Sequence, residues 1–464
     1  HKINFITMNF SLVLNSCFFV VLFPTLCLGS GNFRGCLQPD EVDNSGKTDY
    51  FPDKISPLYS KYWNITYHNT YKIVHNLHSD TKYLLYQCGT SIPALSHEYD
   101  LVVEVPLQDG VAVSSSTQIP QLEQLGVRRQ IKASIGQLYT SSPCIQTMEG
   151  EGLIAMLNTT TLPQYLIDHP DLVVIKSYDE AGDRSFVVSE AQESDGKAIY
   201  EWHKVYGALF NSEKLANEQF DASVSRYDCA SENAAFISRR AMETSKPTVL
   251  WGFKSNYENE EIVHVGWDVA ECDPVRNYYC DYADRCEANL LHSSEGSTGH
   301  APYGNLMTDE EFLTFAKEAD IWIYTGFQSF SSLYEDNKSM LNQFKSVQNG
   351  EVYAVNQNGW FEQRLAEYDV VLQDFCDAVG HYDDLNFPHN RMWLSKVMPF
   401  DAPEPFQSFP ECNTDEIDNP WESRASVCTI LTAPTNPPSA APFSTKTNLL
   451  IVIIAIIASA VSLS

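Results

Sequence analysis

Two α/β lobes with mainly parallel sheets flanked by helices, joined by a long helix, are what this 464-residue sequence predicts. Three observations carry the prediction. Short β-branched runs alternate with helix-length segments in both halves of the chain, as in parallel sheets covered by helices. A central stretch keeps helical periodicity and has no strand signal. Apolar residues make up 44% and aromatics 12%, enough for a substantial core, and a charged fraction of 19% excludes disorder over the whole length.

In chain order, Leu101–Val105 is a β-branched run and Gly110–Val113 the next strand. The polar turn Ser114-Ser115-Ser116-Thr117 precedes a helix with Pro120 early, Leu122 and Leu125 inside and Gly126 as its stop. Leu172–Ile175 is another buried strand. Ile199, Trp202, His203, Tyr206, Leu209 and Phe210 follow the 3.6-residue period, and Leu215, Ala216, Phe220 and Tyr227 extend it into a second helical stretch. Thr248–Trp251 and Ile262–Val265 are strands of the second half. Thr308 and Glu311 form a capping box ahead of Phe312, Phe315, Ala316 and Ala319 at helical spacing, and Asp320–Tyr324 is the strand that follows. This layout assigns an N-terminal lobe to 31–190, a helical interlobe segment to 191–245 and a C-terminal lobe to 246–430. Ligands in such folds bind where strand carboxyl ends face a crevice.

The ends and the cysteines indicate the compartment. An apolar run from Cys17 to Leu28, closed by Gly29-Ser30-Gly31, reads as a signal-peptide core, so 1–30 is assigned as a signal peptide. A Pro/Ser/Thr-rich linker over 431–448 leads to a hydrophobic C-terminal anchor over 449–464. Small residues at Ser439-Ala440-Ala441 before that tail fit a lipid anchor added after cleavage, and a short C-terminal transmembrane helix fits as well. Both routes run through the secretory pathway to the cell surface. Two of the 12 Cys lie in the signal segment, which leaves an even set for disulfides. Cys272, Cys280 and Cys286 lie close enough in sequence that at least one bridge should involve them. Sequons mark Asn64, Asn158 and Asn337 for glycosylation. A formal charge of −30 repels phosphate backbones and argues against a nucleic-acid partner.

Several stretches resemble the helix-linked (class III) periplasmic substrate-binding proteins, which serve ABC importers of iron-siderophores, corrinoids and metals. They are Tyr83–Thr90, Val111–Thr117 with Leu122–Gly126, Glu201-Trp202, Phe210–Glu213, Ala319–Ile323 and Trp360–Glu367, in order over roughly residues 60–380. The cysteines, sequons and C-terminal anchor depart from the bacterial pattern and resemble algal cell-surface proteins related to ferrichrome-binding proteins. The resemblance implies a receptor for a ferric siderophore or similar metal chelate, with no intrinsic cofactor and with separate uptake machinery as its partner.

Enzyme signatures are scarce. Ser45-Gly46-Lys47-Thr48 ends like a phosphate loop, but Glu41 stands where the first glycine belongs. Neither H-E-x-x-H nor G-x-S-x-G occurs, so no enzyme is expected. His68, His75 and His78 offer a metal site only if three or four ligands converge. A chelate crevice needs aromatic walls and a few polar groups. Trp267, Tyr303, Phe327 and Trp360 follow predicted strands, with core packing as the competing role. Arg184 and Arg364 would hold carbonyl or hydroxamate oxygens, unless Arg364 is taken up by Glu362 or Glu367. Ser115, Ser116 and Thr117 either meet ligand oxygens or cap the helix they precede. Few cations near the mouth of so acidic a chain favour a hydroxamate-type ferric chelate over a polyanionic catecholate. Corrinoid, haem and bare metal ion are neighbouring ligands. A secreted enzyme or an adhesion protein on the same fold are the readings from other classes.

Overall fold

The computed structural model describes residues 31–432 apart from 44, 95, 137–139, 178–181, 183, 242–244, 259–262, 273–276, 294–305, 358 and 383–388. The expected signal peptide, the C-terminal anchor with nearly all of its linker, and Tyr303 lie outside the described residues.

The chain opens with a four-stranded sheet. β1 (Trp63–Tyr67), β2 (Tyr71–Asn76) and β3 (Thr81–Gln87) are antiparallel, and β4 (Leu101–Val105) lies parallel beside β3. A fully parallel sheet follows in the order β7-β6-β5-β8-β9. Its strands are β5 (Val111–Val113), β6 (Ile131–Ile135), β7 (Ala155–Leu157), β8 (Val173–Ser177) and β9 (Ser185–Val188). Helices α1 (Ile119–Gln124), α2 (Pro143–Gly150) and α3 (Leu162–Asp168) connect them. Then come α4 (Gly196–Leu209) and α5 (Glu213–Arg240), two helices where the sequence reads one long helical segment.

The C-terminal lobe has its own seven-stranded sheet. Its strands are β10 (Thr248–Glu258), β11 (Val263–Val269), β12 (Asn289–Leu291), β13 (Leu306–Met307), β14 (Ile321–Tyr324), β15 (Val352–Val355) and β16 (Leu394–Lys396). Strands β10, β12, β14 and β15 are parallel, while β11, β13 and β16 pair antiparallel. Around them stand α6 (Tyr278–Arg285), α7 (Asp309–Ala316), α8 (Phe330–Leu341), α9 (Lys345–Asn349) and α10 (Tyr368–Ala378). The capping box at Thr308 and Glu311 starts α7. No described strand pairs across the lobes, so the sheets stay separate.

The first sheet, antiparallel except for β4, departs from the mainly parallel expectation, and β2 shows why it is hard to read. Its inward positions are Lys72, Val74 and Asn76, so polar residues occupy the buried face. Lys72 is held there by buried Glu213 and by Asn211 at 2.8 Å. Alternation of apolar and polar residues, the usual strand signal, is thereby erased.

Helix α4 seats both lobes, and every one of its residues is buried. Trp202, Val205, Tyr206 and Leu209 enter the core of the N-terminal lobe, and Tyr200 enters that of the C-terminal lobe. Its ionisable side chains are all engaged. Lys197 pairs with Asp228, and Glu201 accepts the backbone N–H groups of Leu58, Tyr59 and Ser60 at 2.8 Å each. Lys204 sits 3.1 Å from Glu201 and 4.1 Å from the Phe220 ring centroid, and His203 bridges Gln121 and Gln219.

Residues 411–432 form a strap across both lobes. Cys412 is bonded to Cys144 of α2, Arg128 donates to the carbonyls of Ile417 and Asn419, and Ile417 is buried in the N-terminal core. The strap then returns: Arg424 binds Glu367 and Gln363, and Cys428 is bonded to Cys229 of α5. Asp374, His389 and Ser426 are linked by two 2.7 Å hydrogen bonds through the imidazole. Gln373 grips the Ser426 backbone at both N–H and C=O, so this trio fastens the strap. The other bridges are Cys36–Cys88, Cys272–Cys280 and Cys286–Cys376, so all three cysteines of the sequence cluster are bonded.

Glu190 lies fully buried beside Tyr206, one of its carboxylate oxygens has no partner, and burial pushes it up to about 7. A carboxyl raised on folding stabilises the fold below its unfolded pKa, and that stabilisation is lost as pH rises through the folded value. Thermal melts should therefore show lower stability at pH 8 than at pH 5. Glu190→Gln should remove up to about 3 kcal/mol of that difference. A melting temperature that climbs from pH 5 to pH 8, or a Gln variant with the full wild-type slope, would refute this assignment.

Candidate ligand-binding site

The carboxyl ends of the parallel strands of both lobes meet at the junction of the lobes. On the N-terminal side, β5 runs into Ser114–Thr117 and β6 into the segment that reaches Ser141 and Ser142. Gln118 is buried beneath this edge, accepting from the Ser114 N–H at 3.0 Å and donating to Ser177 at 3.0 Å. On the C-terminal side, β14 runs into Gly326-Phe327-Gln328 and β15 into 356–364. The Ser141 and Ser142 N–H groups donate to the Glu362 carboxylate, and Gln363 donates to Ser141 Oγ at 3.1 Å. Those bonds place Phe361 and Arg364 where the edges touch.

Phe327 and Phe361 stack with ring centroids 5.1 Å apart, and they are 77% and 47% exposed. Such a pair in water is an apolar platform without an internal partner. The Phe327 loop is held by a 2.5 Å bond from Gln357 to the Gly326 carbonyl and by Tyr324 Oη donating to Gln328 O at 2.8 Å. Three residues on from Phe361, the Arg364 guanidinium lies 4.3 Å from the Tyr278 ring centroid and 4.8 Å from that of Trp360. Its Nε is buried without a hydrogen-bond partner, and no carboxylate pairs with it among the described residues. Glu362 and Glu367, the expected competitors for Arg364, are taken by the serine amides and by Arg424. Further along the same edge, burial and the charge of Glu271 push Asp268 up to about 7.

Other expected site residues are distributed unevenly. Ser115 accepts from the Thr117 N–H at 3.3 Å, so the turn caps itself, yet Ser115, Ser116 and Thr117 remain half-exposed at the mouth. Trp360 is 1% exposed and forms the floor under Arg364 rather than a wall. Trp267 is a core residue: it lies flat on Phe312 at 4.0 Å, and its Nε1 donates to Asp309 at 2.7 Å. Arg184 precedes β9 and therefore sits at the amino edge of its sheet, away from the mouth. There its guanidinium binds the carbonyls of Leu166 and His169 at the end of α3. His75 pairs with Asp80, His68 stacks on Tyr71 and His78 packs edge-on to Tyr62. Among the described residues no three His, Cys, Asp or Glu side chains converge as metal ligands. Phe361 and Tyr278 join the candidate site without having been singled out in the sequence, and Glu362, expected there only as a partner of Arg364, instead holds the serine amides. A cavity of about 410 Å³ lies elsewhere, between the first described residues and the α4–α5 turn, and its Asn32 is already bound to Asp53 and Glu213.

No family model matches the chain. A curated relative, an uncharacterized lipoprotein of Methanocaldococcus jannaschii, is 24% identical over 297 residues, or 59% of this chain and 66% of that protein. The match thus spans just under two thirds of the relative's length. Similar solved structures include a possible iron-binding (periplasmic solute-binding) protein from Staphylococcus epidermidis, at 16% identity, 58% of this chain, 98% of that chain and a TM-score of 0.42. Another is a periplasmic heme binding protein from Pseudomonas aeruginosa, at 12% identity, 57% of this chain, 91% of that chain and a TM-score of 0.42. These neighbours are periplasmic binding proteins, the class that the sequence stretches resemble. No described helix is long and apolar enough to cross a membrane.

Gly326 sets the platform. A Cβ there would lie 2.2 Å from Tyr324 Oη, and the Tyr324 ring is boxed in by Trp322 and Phe330. Gly326→Ala should cost about 1–3 kcal/mol in chemical denaturation through overpacking. An unchanged midpoint would show that the loop closes without this contact.

Proposed function

We propose that this chain is a cell-surface receptor that captures a ferric siderophore, of hydroxamate type, for iron acquisition. The observation that carries the reading is the exposed Phe327–Phe361 stack, with Arg364 three residues on from Phe361 and without a carboxylate partner among the described residues, where the carboxyl ends of the parallel strands of both lobes meet. A hydroxamate chelate presents apolar arms and carbonyl oxygens around its metal. The stack offers surface for the arms, and Arg364 offers donors in a fixed fork for the oxygens. Ser115, Ser116 and Thr117 supply small polar contacts from the opposite lobe. One guanidinium and an acidic surround suit a neutral complex better than a catecholate anion. Iron arrives inside its chelate, so no intrinsic cofactor is needed. A membrane anchor in the C-terminal tail and separate uptake machinery complete the proposal, and binding without turnover is the activity expected.

Tryptophan fluorescence tests this directly, because Trp360 lies under Arg364. Titration with a ferric hydroxamate should quench it, whereas a ferric catecholate, cobalamin and haem should bind weakly. Phe327→Ala with Phe361→Ala should weaken binding at least tenfold, as should Arg364→Gln, while Trp267→Phe leaves it unchanged. Catecholate binding with none of the hydroxamate would overturn the ligand assignment. Silence from every chelate would overturn the receptor reading and favour adhesion.

Glycosylation is part of the same proposal. Asn64 and Asn158 are exposed, whereas Asn337 donates to Leu333 O at 2.8 Å and accepts from Lys254 at 3.0 Å. Glycopeptide mapping after expression through a eukaryotic secretory pathway should find glycans on Asn64 and Asn158 at higher occupancy than on Asn337. The reverse order would contradict it.

A further inference from the structure

Residues 361–364 do two jobs. Phe361 and Arg364 belong to the mouth, while Glu362 and Gln363 between them hold the N-terminal lobe. We propose that Glu362 is a positioning residue that couples pH to ligand capture, by pinning the segment that carries Phe361 and Arg364 to the Ser141 and Ser142 backbone. The inference rests on reading the interlobe mouth as the ligand site.

The geometry isolates Glu362. It is 2% exposed, and its two oxygens take the two serine amides. From α1 it faces Glu123, which is itself paired with Arg128 at 2.7 Å and bonded by Ser142 Oγ at 2.8 Å. From the strap comes Arg424, which binds Glu367 at 2.7 Å and also acts on Glu123. Behind Glu367, Asp369 is paired with Arg226 at 2.6 Å. Arg364, two residues on, is occupied with Tyr278 and Trp360. Among the described residues no cation pairs with Glu362, so burial and then the Glu123 charge push it up to about 7 against the pull of the amides.

Detaching this segment from the N-terminal lobe returns Glu362 to water, where it holds a proton less tightly. Detachment therefore releases a proton, and it becomes easier as pH rises toward 7 and then levels off. The mouth is best assembled in mildly acidic medium and loosens as pH rises to neutrality.

Hydrogen exchange at the Ser141 and Ser142 amides, corrected for intrinsic rate and measured without ligand, reads the latch in the unaltered protein. Protection should fall by up to about tenfold per pH unit below 7 and flatten above it. In Glu362→Gln it should be independent of pH. Titration with a ferric hydroxamate at pH 6 and pH 8 reads the coupling, and wild-type affinity should fall severalfold at pH 8 while the Gln variant shows no difference. Protection that rises with pH, or has the same pH course in both proteins, overturns the latch. Protection that changes while affinity does not overturns the coupling. Absence of chelate binding at both pH values, with the exchange pattern intact, sinks the receptor reading and with it the coupling to capture, but not the latch.

Discussion

A helix with no side in water must satisfy every charge it carries, and α4 is such a helix. Lys197, Glu201, His203 and Lys204 would each be costly if left unpaired in the interior. Their partners come from all around: Asp228 and Gln219 from α5, Gln121 from α1, and the amides of residues 58–60 ahead of β1. Paired charges in a core add little net stability over apolar packing, but they penalise any other arrangement. Both lobes are thus referenced to one rigid element, and the spacing between the carboxyl edges of their sheets follows from it. A binding mouth built from loops of two lobes needs that reference, since a shift of about an ångström at either edge would unseat polar contacts.

Local signals made much of the architecture legible. Strands β4, β5, β8 and β14 and the start of β10 are short apolar runs, and the α7 cap is written in Thr308 and Glu311. In the first sheet β2 escaped because it turns Lys72 and Asn76 inward. Trp267 looked like a mouth residue because only Ile262–Val265 reads as strand. In fact β11 runs to Val269 and carries the indole into the core. Arg184 was misplaced for the complementary reason: β9, which it precedes, gives no separate signal after β8. Phe327 was legible as an aromatic just past a strand. Phe361 needed the bond between Glu362 and Ser141, 221 residues apart in sequence, and no single sequence displays such a pairing. The short bridge Cys272–Cys280 was within reach of spacing arguments, whereas Cys144–Cys412 was not.

Net charge and local charge diverge at the mouth. The chain carries −30, yet three described carboxylates near the junction are ion-paired, Glu123 with Arg128, Glu367 with Arg424 and Asp369 with Arg226, and Glu362 holds the Ser141 and Ser142 amides. Arg364 alone of these guanidiniums faces rings instead of a carboxylate. Distant surface charges are screened over about 8–10 Å at ordinary ionic strength, so a ligand in the mouth responds chiefly to this neighbourhood. In the proposed receptor the acidic surface would govern solubility and encounter, and the stacked guanidinium would govern fit.

The strap has a consequence for resistance to proteolysis. Cys144–Cys412 and Cys229–Cys428 enclose overlapping spans of 268 and 199 residues. A single peptide-bond cleavage anywhere between Cys144 and Cys428 therefore yields two pieces that at least one sulfur–sulfur bond still joins. A second cut is needed to release a fragment from this region. A protease can nick this region once and leave a molecule of the same mass plus one water.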